Sequence, residues 1–165
     1  MACIYLETSI ISYLTARPSR DVVVVANQQL TNDWWTLRRR DFELYSSVLT
    51  ADEAAQGDAE AAQKRLAILR DLPLLTIIPE ALELAESLLN AHAMPAKAAD
   101  DAMHVAVATV YGMDYLLTWN CKHIANAEFQ VKIVEISRNL GYTPTIICTP
   151  AELMGDEYVL ERPDY

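Results

Sequence analysis

Glycine is scarce in this sequence: only 4 of the 165 residues are glycine, and no two stand close enough to build a loop that cradles phosphate. A Walker-type loop, a G-x-G-x-x-G dinucleotide turn and a G-x-S-x-G nucleophile elbow are therefore excluded. Cysteine is sparse too. Cys3, Cys121 and Cys148 are scattered, odd in number and outside any metal-ligand spacing, so they read as small buried residues of a reducing compartment. Long apolar runs are missing: residues 22–26 are far too few to span a bilayer. Met1 leads within a few residues into the short run Ile4-Tyr5-Leu6 rather than into a secretory leader, and the expected location is the cytoplasm. Positive charge is also in short supply. Against 23 Asp and Glu stand 13 Lys and Arg, a net charge of −10. A protein that grips nucleic acid mainly by neutralising phosphates is basic. Either nucleic acid is not the partner, or a metal ion and a local basic patch do the neutralising. An acidic surface also suits a basic protein partner and favours solubility.

What is present fits one soluble globular domain. The chain is 52% hydrophobic and 22% charged, long enough to bury a core, and free of repeats and low-complexity stretches. Residues 3–6 form a β-prone run that stops at Glu7, and Thr8-Ser9 offers a helix cap before Ile10, Ile11, Tyr13 and Leu14. After the break at Arg17-Pro18-Ser19, Val23, Ala26, Leu30, Trp34 and Leu37 recur at helical steps, predicting a long helix over 21–39. Further strands are expected at 42–46, 74–78, 115–119 and 145–148, and helices at 50–55, 59–70, 80–91, 98–110 and 124–140, the last closed by Gly141 as a C′ glycine. Strands alternating with helices, and themselves almost continuously apolar, indicate a parallel sheet covered on both faces. In such sheets ligands gather at the carboxyl ends of the strands.

Several acidic residues fall at those ends. Glu7 closes the first strand, Glu53 follows the second beside Asp52, and Asp100-Asp101 open the most apolar helix. Asn120 follows the strand at 115–119. Each alone has a plain explanation as a cap, a turn residue or an exposed charge. Two adjacent aspartates exceed what one cap needs, and on a helix they point about 100° apart, so one can cap while the other faces a cleft. Taken together, carboxylates from separate elements collect near one sheet edge without a matching set of Cys or His. Oxygen-only ligation suits Mg²⁺ or Mn²⁺. His104 lies one helical turn after Asp101, where a core or supporting role outweighs a direct one; His92 reads as surface, and His123 as a helix-start residue or a contact to phosphate. Arg38-Arg39-Arg40, after Trp34-Trp35, is the dense basic cluster, either a charged helix end or a contact for RNA or a partner.

At these residues a family resemblance emerges. Tyr5-Leu6-Glu7-Thr8-Ser9-Ile10-Ile11-Ser12-Tyr13-Leu14 resembles the opening of PIN domains, a strand ending in an acidic residue followed by Thr-Ser. Residues 47–58 resemble the segment that carries the family's glutamate, here Glu53. Asp101-Ala102-Met103-His104-Val105-Ala106-Val107-Ala108 is similar to its Asp-led central helix, and Leu116-Leu117-Thr118-Trp119-Asn120-Cys121-Lys122-His123-Ile124 to its next strand and turn. The four segments stand in the family's order, and the resemblance runs over residues 1–148. It is nearest to VapC-type toxins of toxin–antitoxin pairs. It implies a three-layer α/β/α sandwich around a parallel sheet, a Mg²⁺ or Mn²⁺ site, and cleavage of single-stranded RNA. It also implies a homodimer and a small antitoxin partner.

The resemblance assigns metal binding to Glu7, Glu53 and Asp101, with Asp100, one residue out of register, the weaker candidate. Asn120, Ser9 and Thr118 are expected to orient water, metal or phosphate oxygens, and His123 to meet substrate. The expected layout is a PIN-like nuclease domain over 1–150 and an acidic tail over 151–165. Two departures stand out: Glu7 occupies a position where aspartate is usual, and Asn120 one where many members carry a fourth carboxylate. The expected function is a metal-dependent endoribonuclease. The alternatives are a catalytically weak or inactive PIN-like protein that binds RNA or an antitoxin, and a metal phosphohydrolase acting on small phosphate esters.

Overall fold

The computed structural model describes residues 1–156. Five parallel strands form the central sheet: β1 (Ala2–Leu6), β2 (Phe42–Ser47), β3 (Leu74–Leu75), β4 (Tyr115–Leu117) and β5 (Ile146–Cys148), in the spatial order β3-β2-β1-β4-β5. Seven α-helices among the described residues connect them: α1 (Thr8–Thr15), α2 (Val22–Leu37), α3 (Val48–Ala54), α4 (Ala59–Leu69), α5 (Pro79–Asn90), α6 (Ala99–Val110) and α7 (Ala127–Asn139).

Alternation along the strands sorts side chains into two cores, because successive residues point to opposite faces of a sheet. Tyr5, Leu116 and Ile147 join Leu84, Leu88, Val105 and Ile133 from α5, α6 and α7 on one side. Ile4, Leu6, Leu117 and Cys148 join Ile10, Ile11, Trp34 and Leu69 on the other. The result is the three-layer α/β/α sandwich.

Chain order places a crevice at one point on this sheet. From β1 the chain moves outward through β2 to β3, then returns to β4 on the opposite flank of β1. Connections therefore leave the carboxyl ends of β1 and β4 in different directions, the geometry in which α/β sheets bind ligands. Glu7 N–H continues the β1–β4 ladder by donating to the Leu117 carbonyl at 3.1 Å, which locks the two strand ends together at the crevice.

Several element boundaries differ from the sequence expectation. The strand expected over 74–78 is only Leu74–Leu75, because Ile78 caps α5 with Pro79 in its first turn; Ile77 and Ile78 pack into the core instead. The helix expected to start at Ile124 starts at Ala127, since the Asn126 side chain accepts the Glu128 N–H. Ile124 and Ala125 N–H groups turn back to the Asn120 carbonyl. The valines that open α2 are tolerated because Asp21 accepts the N–H groups of Val23 and Val24. The apolar stripe of α2 is buried at Trp34 as expected, but Val23 and Leu37 are exposed, and Gln28 and Thr31 are buried in their stead. Gln28 clips the loop after α1 through Ser19 N–H and the Arg17 carbonyl, and Thr31 accepts the Trp119 indole N–H at 2.7 Å. Those polar side chains are buried because each has partners.

Gly141 follows α7 with φ +87°, the left-handed C′ position expected of it. Beyond β5, Pro150–Leu153 form a short 3₁₀ turn capped reciprocally by Thr149 and Glu152. Met154 is buried against α2-side residues of the second core, and residues 157–165 of the expected tail lie outside the described residues.

Candidate active site

Glu7 is the N-cap of α1, set by extended backbone at the end of β1. It is only 5% exposed, and burying a carboxylate is costly unless donors surround it. Three do. Its Oε2 accepts from Ser9 N–H at 3.1 Å, from the Ser9 hydroxyl, and from Thr118 Oγ1 at 2.7 Å. The wholly buried Thr118 in turn accepts the Asn120 N–H at 2.9 Å. Ser9 Oγ accepts the Trp119 N–H at 2.8 Å. The turn after β4 is thus built onto the Glu7 carboxylate.

That turn holds the next acid. Asn120 Nδ2 donates to Asp101 Oδ1 at 3.0 Å, while Asn120 Oδ1 accepts the His123 N–H. His123 Nδ1 meets Asp101 Oδ2 at 2.9 Å. Asp101 lies in the first turn of α6, where the helix dipole favours negative charge. An aspartate at position 120 lacks the N–H that Asn120 gives to Asp101, so here the amide acts as a brace.

Glu53 is the third acid. It sits on α3, whose N-cap Ser47 accepts the Thr50 N–H at 3.2 Å. Its Oε1 receives Thr8 Oγ1 at 3.2 Å and Nε2 of His104. Burial works to raise the Glu53 carboxyl, but the His104 hydrogen bond, the His104 charge and the Thr8 hydroxyl outweigh it and hold the group below its ordinary value. Nδ1 of His104 contacts the Tyr5 hydroxyl at 2.6 Å, which is itself 2.7 Å from Ser47 Oγ.

At the carboxyl edge of β1, β2 and β4 these side chains thus form two hydrogen-bonded networks, one of Glu7, Ser9, Thr118, Asn120, Asp101 and His123, the other of Glu53 with Thr8, His104, Tyr5 and Ser47. Asp100 is exposed and enters none of these bonds. The arginines are elsewhere. Arg38-Arg39-Arg40 lie between α2 and the amino end of β2, at the opposite edge of the sheet. Arg38 pairs with Asp41 and donates to the Met154 carbonyl, and Arg39 stacks 4.8 Å over Trp35. Arg39 and Arg40 help line a groove with Trp35, Phe42 and Leu44. For Tyr5, Ser47 and Thr50, and for Thr8 beyond its place at the helix start, the sequence carries one functional cue, Tyr5 standing two residues before Glu7 on the same strand.

Among the described residues, no three His, Cys, Asp or Glu side chains stand together as a metal cage. Mg²⁺ rarely requires one: it retains several waters and is held by one or two carboxylates together with substrate phosphates. The donors here are all oxygen, and neither Glu7 Oε1 nor Glu53 Oε2 accepts any of the site's hydrogen bonds. That donor chemistry fits a hard divalent cation.

The PIN-domain family model matches residues 4–127, and the chain belongs to the PIN-domain family. Among solved structures, one similar fold is VapBC2 from Rickettsia felis bound to a DNA fragment from its promoter, with TM-score 0.52, 15% identity, and coverage of 89% of this chain and 98% of that one. Another is VapBC-5 from Mycobacterium tuberculosis, a toxin–antitoxin system, with TM-score 0.50, 18% identity, and coverage of 90% and 99%. No curated protein matches the chain by sequence. No helix among the described residues is long and apolar enough to cross a membrane.

Proposed function

We propose that this protein is a divalent-metal-dependent endoribonuclease that hydrolyses single-stranded RNA, acting as the toxin of a toxin–antitoxin pair. The observation that carries the reading is the pair of networks at the sheet's switch point. Glu7, Glu53 and Asp101 come from three separate elements of a PIN domain, and each is braced by side-chain donors. Glu7 and Asp101 would hold Mg²⁺ or Mn²⁺, with Glu53 completing the site directly or through water. When bound, such an ion activates water for attack and neutralises charge developing on the scissile phosphate. It also offsets the acidity of the chain at the place where phosphate must approach.

The protein's own groups do the positioning. Thr118 and Ser9 fix the Glu7 carboxylate, Asn120 and His123 fix Asp101, and Thr8 fixes Glu53. Contact with phosphate oxygens is assigned to His123, of intermediate exposure, and to the exposed Lys122 beside it. Arg38, Arg39 and Arg40, at the far edge of the sheet, are assigned to a protein partner or to RNA extending beyond the cleavage site. The toxin assignment, and with it an antitoxin partner, a homodimer and a cytoplasmic location, rests on the resemblance to VapC-type proteins and on the VapBC folds.

Incubating an RNA panel with Mg²⁺ or Mn²⁺, with and without chelator, tests the activity. Chelator-sensitive cleavage that disappears in Asp101→Asn and Glu7→Gln supports it, and cleavage that survives both changes removes the site assignment. A second reading is a PIN-like protein that binds but does not cut. It is favoured by one observation: both Asp101 oxygens are already held, by Asn120 and His123. Calorimetry showing no Mn²⁺ uptake at millimolar concentration would support that reading.

A further inference from the structure

His104 is the residue that the proposed chemistry does not itself require, and its surroundings are unusual. It is wholly buried, in a helix whose neighbours Ala102, Val105, Ala106, Val107 and Ala108 are all buried and apolar. An imidazole there is costly unless its nitrogens are satisfied, and a leucine would fill such a place without that cost. Both nitrogens are satisfied, one by Tyr5 and one by Glu53.

We propose that Tyr5 and His104 form a positioning relay that orients the Glu53 carboxylate toward the metal site; the inference rests on the reading of Glu53 as a metal-site ligand. The direction of the relay follows from donor chemistry. An ionised carboxylate only accepts, so Nε2 of His104 carries a proton and donates to Glu53 whatever the charge of the ring. Nδ1 is turned to the Tyr5 hydroxyl at 2.6 Å, and the two rings meet edge to face at 5.8 Å. Tyr5 cannot drift: it is wholly buried, and its hydroxyl lies 2.7 Å from Ser47 Oγ and 3.4 Å from Thr50 Oγ1.

The relay links three elements. Tyr5 stands on β1 two residues before Glu7, His104 on α6 three residues after Asp101, and Glu53 on α3. The strand and helix that place two acids therefore also set the third. Thr8 and His104 both act on Oε1 of Glu53, so Oε2 is the oxygen left for an ion or its water. Loss of partners that orient a metal ligand typically weakens metal binding by about 10-fold or more.

The test is calorimetric titration of the full chain with MnCl₂, alongside ¹⁵N-correlated NMR of the imidazoles without metal. The relay predicts a protected Nε2–H signal for His104. It further predicts a loss of Mn²⁺ affinity of about 10-fold in His104→Leu, substantial recovery in His104→Gln, whose amide nitrogen restores a donor near the Nε2 position, and a smaller loss in Tyr5→Phe. If His104→Leu does not fold, the near-isosteric Tyr5→Phe and the NMR signal carry the test. Wild-type affinity in both His104→Leu and Tyr5→Phe, or a proton found on Nδ1 with Nε2 bare, overturns the relay while leaving the metal reading standing. Absence of Mn²⁺ binding by the unaltered protein overturns the metal reading, and the relay with it.

Discussion

Replacing Thr118 by valine probes how the site is held together. Thr118 is wholly buried, and valine has nearly its shape, so packing changes little. What disappears is one hydroxyl with two tasks: it donates to Glu7 Oε2 at 2.7 Å and accepts the Asn120 N–H at 2.9 Å. A hydrogen bond to a charged group contributes roughly 1.5–3 kcal/mol. Glu7 keeps Ser9 N–H and the Ser9 hydroxyl as donors, and Asn120 is partly exposed, so water replaces part of what is lost. The expected destabilisation is therefore about 2 kcal/mol, a fall in Tm of roughly 4–8 °C for a domain of this size. Urea unfolding of Thr118→Val, Glu7→Ala and the double variant isolates the pairwise contribution, with a coupling of about 1–2 kcal/mol expected. Thr118→Ser, which keeps the hydroxyl, should retain that coupling. A Thr118→Val variant within about 0.5 kcal/mol of the parent, with no coupling to Glu7, would falsify the claim that this hydroxyl ties the turn to the carboxylate.

Two further predictions concern other parts of the molecule. Burial, with the Glu152 charge adding to it, pushes the Cys148 thiol from 9.0 up to about 12, so Cys148 should resist iodoacetamide at pH 8 while the exposed Cys121 is labelled; mass spectrometry showing equal labelling contradicts this. The same shift has a sign in stability. The unfolded chain begins to lose that proton near pH 9 and the folded chain does not, so stability present below pH 9 falls as pH rises toward 12, visible as a lower urea midpoint at pH 10 than at pH 8. At Gly155, where φ is +80°, an added Cβ would lie 1.7 Å from Arg38 Nη1. Gly155→Ala should displace the guanidinium from the Met154 carbonyl and destabilise the protein by about 1–3 kcal/mol; an unchanged Tm would show that this end of the chain is not anchored through Arg38.

Much of the fold is legible from local pattern. The run ending at Glu7, the apolar helix at Asp100-Asp101 and the glycine closing α7 appear where short-range chemistry places them, whereas the cap of α1 is Glu7 itself rather than Thr8-Ser9. The misread parts depend on partners remote in sequence. Beside the core residue Trp34, α2 buries Gln28 and Thr31 because they find Arg17, Ser19 and Trp119, which no helical period reveals. The shortness of β3 follows from Ile77 and Ile78 having a core to enter. The acidic residues could be nominated from their places at strand ends and in family-like segments. Their bracing could not: that Asn120 spans to Asp101, or that Tyr5 reaches Glu53 through His104, depends on strand order β2-β1-β4 and on contacts across dozens of residues. The arginine triplet shows the same limit, since nothing local in its sequence tells that it lies at the edge away from the acids.

The central claim is that Glu7, Glu53 and Asp101 form a metal-dependent cutting site for RNA. The most direct measurement follows a labelled single-stranded RNA over time with purified protein in Mn²⁺, comparing the unaltered chain, chelator addition and Asp101→Asn. The account predicts cleavage in the first case and loss of at least two orders of magnitude in the other two, about the scale on which removing a central electrostatic group acts. Cleavage persisting at the original rate in the Asp101→Asn protein, or in the presence of excess chelator, would contradict it.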